Sequence, residues 1–182
     1  SYLSKFIKLK CGIRQGGVLS PYLFAIYLDD VVLLFSKSMI GCNIGSACVS
    51  IVMYADDIIL LAPSVHALQQ MLLMCESELA ALDMALNVKK SVCMRIGERY
   101  DADCISIRTR NGDLLTWVDK IRYLGVTIVS SRRFKCAYGD AKAKFYRAFN
   151  AIMGKVGRLA SNEVSLELVK TKCLPIMLYG ME

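Results

Sequence analysis

The chain has little of what builds zinc sites, linkers and exported scaffolds. Its 182 residues include one histidine, His66, one tryptophan, Trp117, and three prolines. The eight cysteines stand at 11, 42, 48, 75, 93, 104, 136 and 173. None has C-x-x-C spacing and none lies near the histidine, which excludes the usual zinc-ligand patterns. Scattered thiols suit a reducing compartment, so an intracellular protein, nuclear or cytoplasmic and not secreted, is expected. The first ten residues offer neither an apolar core nor a small-residue cleavage site, and so no secretory signal. Long apolar runs are missing too. Mean hydropathy is positive, +0.41, but the two most apolar stretches, 22–35 and 47–62, are each broken by an aspartate pair. Both fall short of the roughly 18–20 uninterrupted apolar residues of a membrane span. Paired charges at mid-bilayer would be costly, so no membrane partner is expected.

What is present is an apolar half and a basic half. Hydrophobic residues make up 55% of the chain, enough for a packed core, and the 21% charged residues sit within the globular range. Residues 1–98 hold eight basic and eight acidic side chains, whereas residues 99–158 hold thirteen against five. A basic block beside a neutral body fits a nucleic-acid footprint, and fits a solvated helical surface equally well. Ser20-Pro21 reads as a helix start, serine as cap and proline at the first helical position, with Phe24, Tyr27, Leu28, Val31 and Leu34 at helical spacing. Gly41 to Gly45 make a turn, and strands are expected over 49–54 and 58–62. Pro63-Ser64 opens a second helix, with an apolar stripe from Leu68 to Leu86. Strands follow over 91–96, around Ile105 and Ile107, over 114–118 after an Asn111-Gly112 turn, and over 122–129. A basic helix covers 137–159, and a last short helix, 164–173, stops before Pro175. An α+β body passing into a helical tail places a boundary near residue 130.

The sharpest chemical feature is Tyr54-Ala55-Asp56-Asp57 between two apolar strands. Paired acids on a tight turn, backed by buried strands, concentrate the oxygen ligands that magnesium takes. Two carboxylates can help hold the two ions of an in-line phosphoryl displacement. Alone, the pair is equally an exposed hairpin tip. Asp29-Asp30 is an internal control: mid-helix, adjacent side chains point about 100° apart and do not converge. Upstream, Gly12-Ile13-Arg14-Gln15-Gly16-Gly17-Val18-Leu19-Ser20-Pro21-Tyr22-Leu23-Phe24 is a glycine-rich, basic loop feeding a helix. Its glycines permit close backbone approach to a ligand, and Arg14 and Gln15 can reach phosphate or a base edge.

Together the two strings resemble the reverse transcriptases of non-LTR, LINE-type retrotransposons, the first as motif B and the second as motif C. The resemblance implies an RNA-directed DNA polymerase of α+β fold. Residues 1–130 would be a partial palm, an antiparallel sheet with helices packed on one face, and residues 131–182 a small helical thumb. It implies two magnesium ions, or manganese as substitute, held by Asp56 and Asp57. It implies deoxynucleoside triphosphates, an RNA template and a DNA primer as partners, with the other domains of a longer polyprotein. Arg14, Gln15 and Gly16 would line the nucleotide pocket, with Tyr54 and Ala55 beside the primer end. Leu86 to Ser91 is similar to motif D, whose lysine assists pyrophosphate departure; Lys90 matches by its place before the serine. Tyr123-Leu124-Gly125 resembles motif E, the primer-grip turn, and Leu174-Pro175 with Tyr179-Gly180 the family's thumb ending. Arg132, Arg133, Lys135, Lys142, Lys144, Arg147, Lys155 and Arg158, interleaved with Phe134, Phe145, Tyr146 and Phe149, are the candidates for tracking the nucleic-acid backbone. His66 and the 71–74 Met/Leu run are expected to be structural, and Trp117 to pack.

Gly17 departs from the family, many of whose members carry cysteine there. A larger departure is motif A, which supplies a further metal-binding aspartate upstream of motif B; residues 1–11 contain no acid. With no initiator methionine and an abrupt end at Met181-Glu182, the chain reads as a piece of something longer. A palm that binds nucleic acid without polymerising, or one of another template preference, are the alternative readings. Residues 1–182 alone are expected not to extend a primer; magnesium-dependent incorporation of deoxynucleotides by the purified chain would refute that.

Overall fold

The computed structural model describes residues 18–180 apart from 39, 46 and 158. Helices and short strands alternate along the chain, an α+β arrangement as expected. The chain divides into two units. The first takes the residues up to Asn87 together with Ile107–Leu114, and the second takes Val88–Ser106 and everything from Leu115 onward.

The first unit is built on two helices. Helix α1 (Ser20–Ser38) buries Leu28, Val31 and Phe35, an i, i+3, i+7 stripe. The serine cap shifts by one residue. The Leu23 amide donates to the Leu19 carbonyl (3.0 Å), so Ser20 is already helical and Pro21 second. Proline is tolerated there because no intrahelical acceptor waits for an amide in the first turn. Two short strands, β1 (Asn43–Ile44) and β2 (Ala47–Cys48), pair antiparallel where a simple turn was expected. Next come β3 (Ile51–Tyr54) and β4 (Asp57–Leu60), an antiparallel hairpin in the register Ile51↔Leu60, Met53↔Ile58, Tyr54↔Asp57. Helix α2 (Val65–Ala81) starts as the sequence implies, the Ser64 hydroxyl accepting from the Ala67 amide at 3.1 Å. It buries Met71, Leu72, Cys75 and Leu79.

Phe35, Val31 and Leu28 meet Met71, Cys75 and Leu79 in one cluster, and Ile51, Met53, Ile58 and Leu60 pack against it. Burying each large apolar side chain contributes about 1.5–3 kcal/mol, so the helix pair is the platform under the hairpin. The Tyr27 hydroxyl donates to the Leu82 carbonyl (3.1 Å), tying α1 to the end of α2. Strand β6 (Ile107–Arg108) is held by α2 side chains: the Gln69 amide both donates to the Arg108 carbonyl (2.7 Å) and accepts from its amide (2.8 Å). The expected Asn-Gly turn is present as a wider loop. Thr109 and Asp113 close it by backbone and hydroxyl bonds, with Gly112 at φ +89°.

In the second unit β5 (Val92–Cys93) pairs parallel with β7 (Leu114–Trp117), a departure from the expected antiparallel sheet. The expected strand over 122–129 is two strands. β8 (Lys120–Tyr123) and β9 (Val126–Val129) form a hairpin around Leu124-Gly125, and β10 (Lys135–Ala137) adds to β9. The continuous apolar pattern hid a glycine turn that two-residue hairpins favour. The boundary expected near residue 130 therefore falls inside one small sheet.

Helix α3 (Gly139–Val156) follows, then α4 (Asn162–Leu168), a π-helical turn (Val169–Cys173) and α5 (Leu174–Leu178). Pro175 does not end the last helix, as expected from sequence, but opens α5, where its missing amide costs no bond. Trp117 packs as foreseen, its indole N–H donating to the Ile105 carbonyl (3.2 Å).

The cysteines give a check on this packing. The seven described are free thiols. Burial pushes the Cys75 thiol up to about 11, with the Glu76 carboxylate adding to it. Burial does the same for Cys93, also to about 11, with Cys104 nearby. Cys48 is held below its ordinary value by hydrogen bonding with Ser50. An alkylating reagent at neutral pH should modify Cys48 well before Cys75 and Cys93, read by peptide mass spectrometry. Both buried thiols stay protonated in the fold at pH values where the same thiols in the unfolded chain, near 9.0, have ionised. The contribution of these two thiols to stability should therefore be constant below pH 9 and be lost as pH rises from 9 through 11.

Candidate active site

The Asp56-Asp57 turn owes its shape to the hairpin beneath it. Tyr54 and Asp57 are the last paired residues, leaving Ala55-Asp56 as a two-residue loop. Such loops favour mirror-image turns with positive φ because these match the strand twist. Ala55 obeys at φ +51°. For a residue with a Cβ, that conformation costs about 1–2 kcal/mol, so the turn carries strain that the packed strands must hold. Ile51 and Met53 face the helices, as do their partners Leu60 and Ile58. Strand alternation then puts Tyr54 and Asp57 side by side on the opposite face. Tyr54 is 62% exposed, and both aspartates are exposed.

The result is a pair of solvent-facing carboxylates at the tip of a supported hairpin, with an aromatic side chain beside one of them. These are hard oxygen donors of the kind Mg²⁺ or Mn²⁺ takes. They supply part of such a site: among the described residues no group of three or more His, Cys, Asp or Glu comes together. Asp29 and Asp30 lie exposed on α1, as the control reading expects, and His66 is exposed in the first turn of α2.

Arg14, Gln15 and Gly16, the proposed nucleotide-pocket residues, lie outside the described residues, as does Arg158. Lys90 lies exposed on a turn over 88–90 in the second unit.

That unit also holds the Tyr123-Leu124-Gly125 turn. Leu124 stands at φ +44° and Gly125 at φ +85°, the type I′ pattern, and a bulky residue in the left-handed region is a genuine outlier. The Tyr123 hydroxyl is shielded from solvent, so Leu124 and Gly125 form the accessible part of the turn. Beside it opens a cleft of about 500 Å³ lined by Arg122, Gly125, Tyr138, Asp140, Lys144 and Tyr179 among others. Arg122 and Tyr138 were missed by sequence reasoning; only their neighbours in the motif and the basic block hinted at them.

The basic helix is corrected in one respect. At 3.6 residues per turn, Lys144, Arg147 and Lys155 fall within about 80° of each other around α3, whereas Lys142 lies about 160° from Lys144. All four are exposed, but they do not form one stripe. Phe145 stacks on Phe149 (centroids 6.1 Å), and both are half-buried, so these aromatics pack the helix and are withdrawn as nucleic-acid contacts. Tyr146 and Phe134 remain exposed. Arg132 is engaged with Glu98 at 2.8 Å, an exposed pair that adds little stability.

Residues 2–128 match the family model "Reverse transcriptase (RNA-dependent DNA polymerase)", and the chain belongs to that family. Over 185 residues it is 29% identical to the Retrovirus-related Pol polyprotein from type-1 retrotransposable element R2 of Popillia japonica, covering 97% of this chain and 25% of the relative. It is 27% identical over 134 residues to the polyprotein of type-2 retrotransposable element R2DM of Drosophila melanogaster, covering 69% of this chain and 12% of that one. The likeness to non-LTR elements read from the motifs is thus upheld, and the chain spans a quarter or less of these two relatives. No solved structure matches.

The two aspartate pairs can be separated experimentally. If the hairpin tip is the metal-binding turn, then in a polymerase that carries this segment and a motif A strand Asp56→Asn should cut primer extension by at least about 100-fold, since it removes a carboxylate charge at nearly constant volume. Asp29→Asn should leave activity within about two-fold. Equal losses would mean that the hairpin tip is not the metal-binding turn.

Proposed function

We propose that this chain is the palm and thumb portion of an RNA-directed DNA polymerase serving retrotransposition. The observation that carries the reading is the exposed Asp56-Asp57 pair at the end of a strained hairpin seated on a helix core. Asp56 and Asp57 would hold Mg²⁺, with Mn²⁺ as substitute. When bound, two such ions activate the attacking hydroxyl and stabilise departing pyrophosphate. Tyr54, on the same face as Asp57, lies where it can contact the primer end. Arg14, Gln15 and Gly16 would line the deoxynucleoside triphosphate pocket, and Lys90 would assist pyrophosphate departure. Leu124 and Gly125 would support the primer strand annealed to its RNA template. No described helix is long and apolar enough to cross a membrane.

The basic flank of α3 supplies the backbone contacts. Lys144, Arg147 and Lys155 share one side of the helix, and Lys144 also lines the cleft beside Gly125. Each phosphate neutralised releases counterions, giving a log–log salt slope of roughly −0.9 per contact on duplex DNA. Changing these three residues together to Ala should weaken binding of an RNA–DNA hybrid on any sequence. It should also make the slope shallower by about two to three units. Lys142→Ala, on the other flank, should change the slope by less than about one unit. An unchanged slope in the triple variant would reduce the basic helix to a solvated surface.

A further inference from the structure

The turn at Leu124-Gly125 is strained, and the C-terminal end of the chain is what holds it. Helix α5 ends at Leu178. Tyr179 then leaves the helix in an extended conformation (φ −56°, ψ 124°), and Gly180 follows at φ +74°. This exit brings the Tyr179 ring against the turn. Its hydroxyl donates to the Leu124 carbonyl at 2.9 Å, across 55 residues of sequence. The ring edge lies so close to Gly125 that an added Cβ would stand 2.8 Å from Tyr179 Cε1. Gly180 is pressed equally closely, since a Cβ there would collide with the Val126 side chain, the first residue of β9. Both glycines combine positive φ with a neighbour that leaves no room for a side chain. Two segments far apart in sequence are therefore fitted to each other at backbone level.

Resting on the proposed primer role of this turn, we infer that Tyr179 is a positioning residue: its hydroxyl and ring hold Leu124 in the left-handed conformation and so fix the surface offered to the primer strand. The chemistry is specific to tyrosine. A phenylalanine fills the same space but cannot donate to the Leu124 carbonyl, and a bulky residue in the left-handed region will leave it unless something holds it there. The need for the latch follows from Leu124. Asparagine tolerates that region and Asn-Gly is a favoured pair for a type I′ turn, so a turn rewritten as Asn-Gly should hold itself.

The test compares Tyr179→Phe, Leu124→Asn and the double variant by amide exchange and, in a polymerase that carries this segment and a motif A strand, by primer extension. Tyr179→Phe should speed exchange at Gly125 and Val126 by about three- to ten-fold, the worth of one hydrogen bond. It should leave the β3–β4 hairpin of the other unit unchanged. It should raise the KM for primer–template while kcat stays within about two-fold, as expected when ground-state and transition-state binding are lost equally. In the Leu124→Asn background the same Tyr179→Phe change should have little effect on exchange. Unchanged exchange at the turn, or an equal increase throughout the protein, would overturn the latch itself. Faster local exchange with an unaltered KM would overturn the positioning role, whereas a KM for primer–template that is also unmoved by Gly125→Val, a change in the turn itself, would overturn the primer-grip reading on which it rests.

Discussion

The contact on which the first unit depends is the packing of Phe35, Val31 and Leu28 on α1 against Met71, Cys75 and Leu79 on α2. A two-residue turn has no stiffness of its own, and an alanine in the left-handed region works against it. Carboxylates can act together on a metal only if the backbone beneath them does not move. The inward side chains of β3 and β4 transmit the rigidity of the helix pair to the turn, and the outward alternation delivers Tyr54 and Asp57 to the same side. The hydrophobic core therefore fixes the shape of the turn that carries Asp56 and Asp57.

Three non-glycine residues among those described have positive φ: Ala55, Asp83 and Leu124. Asp83 follows the end of α2, and aspartate visits that region at modest cost. The other two sit on the turns that resemble motifs C and E. Strain tends to persist where the surroundings over-determine it. The two turns meet that requirement differently. Ala55 is held from below, by paired strands on a core. Leu124 is held from the side, by a hydroxyl and a ring from the end of the chain.

Much of this was legible in the sequence. The Ser64 cap, Leu28 and Val31 of the first stripe, the second stripe as far as Leu79 and the strands flanking Asp56-Asp57 follow from side-chain periodicity and turn chemistry, which act over a few residues; Phe35 was not foreseen, and α2 stops short of Leu86. The exposed control pair Asp29-Asp30 was legible for the same reason. What escaped was set by distant partners or by turns without a strong local signature. The run from Arg122 to Val129 is apolar enough to read as one strand, and only the backbone freedom of Gly125 marks its break. The parallel pairing of β5 with β7 depends on residues more than twenty positions apart. Pro175 reads as a stop because sequence alone does not show the π turn before it. The resemblance gave the motif E turn its place, but the residue that secures it lies 55 positions away.

Charge shows the same limit. Composition correctly marks residues 99–158 as basic, but it cannot say which charges share a surface. Within that block Arg108 is occupied by the Gly112 carbonyl and Arg132 by Glu98. Lys142 lies on the wrong flank of α3 to join Lys144. On α3 itself, Lys144, Arg147 and Lys155 share one flank, with Lys144 reaching the cleft where Arg122, Gly125 and Tyr179 also meet. A duplex laid along that flank would meet the positive side chains and the latched turn together. On the proposed reading, backbone charge would set how tightly it binds, and the left-handed turn would set where its primer strand lies.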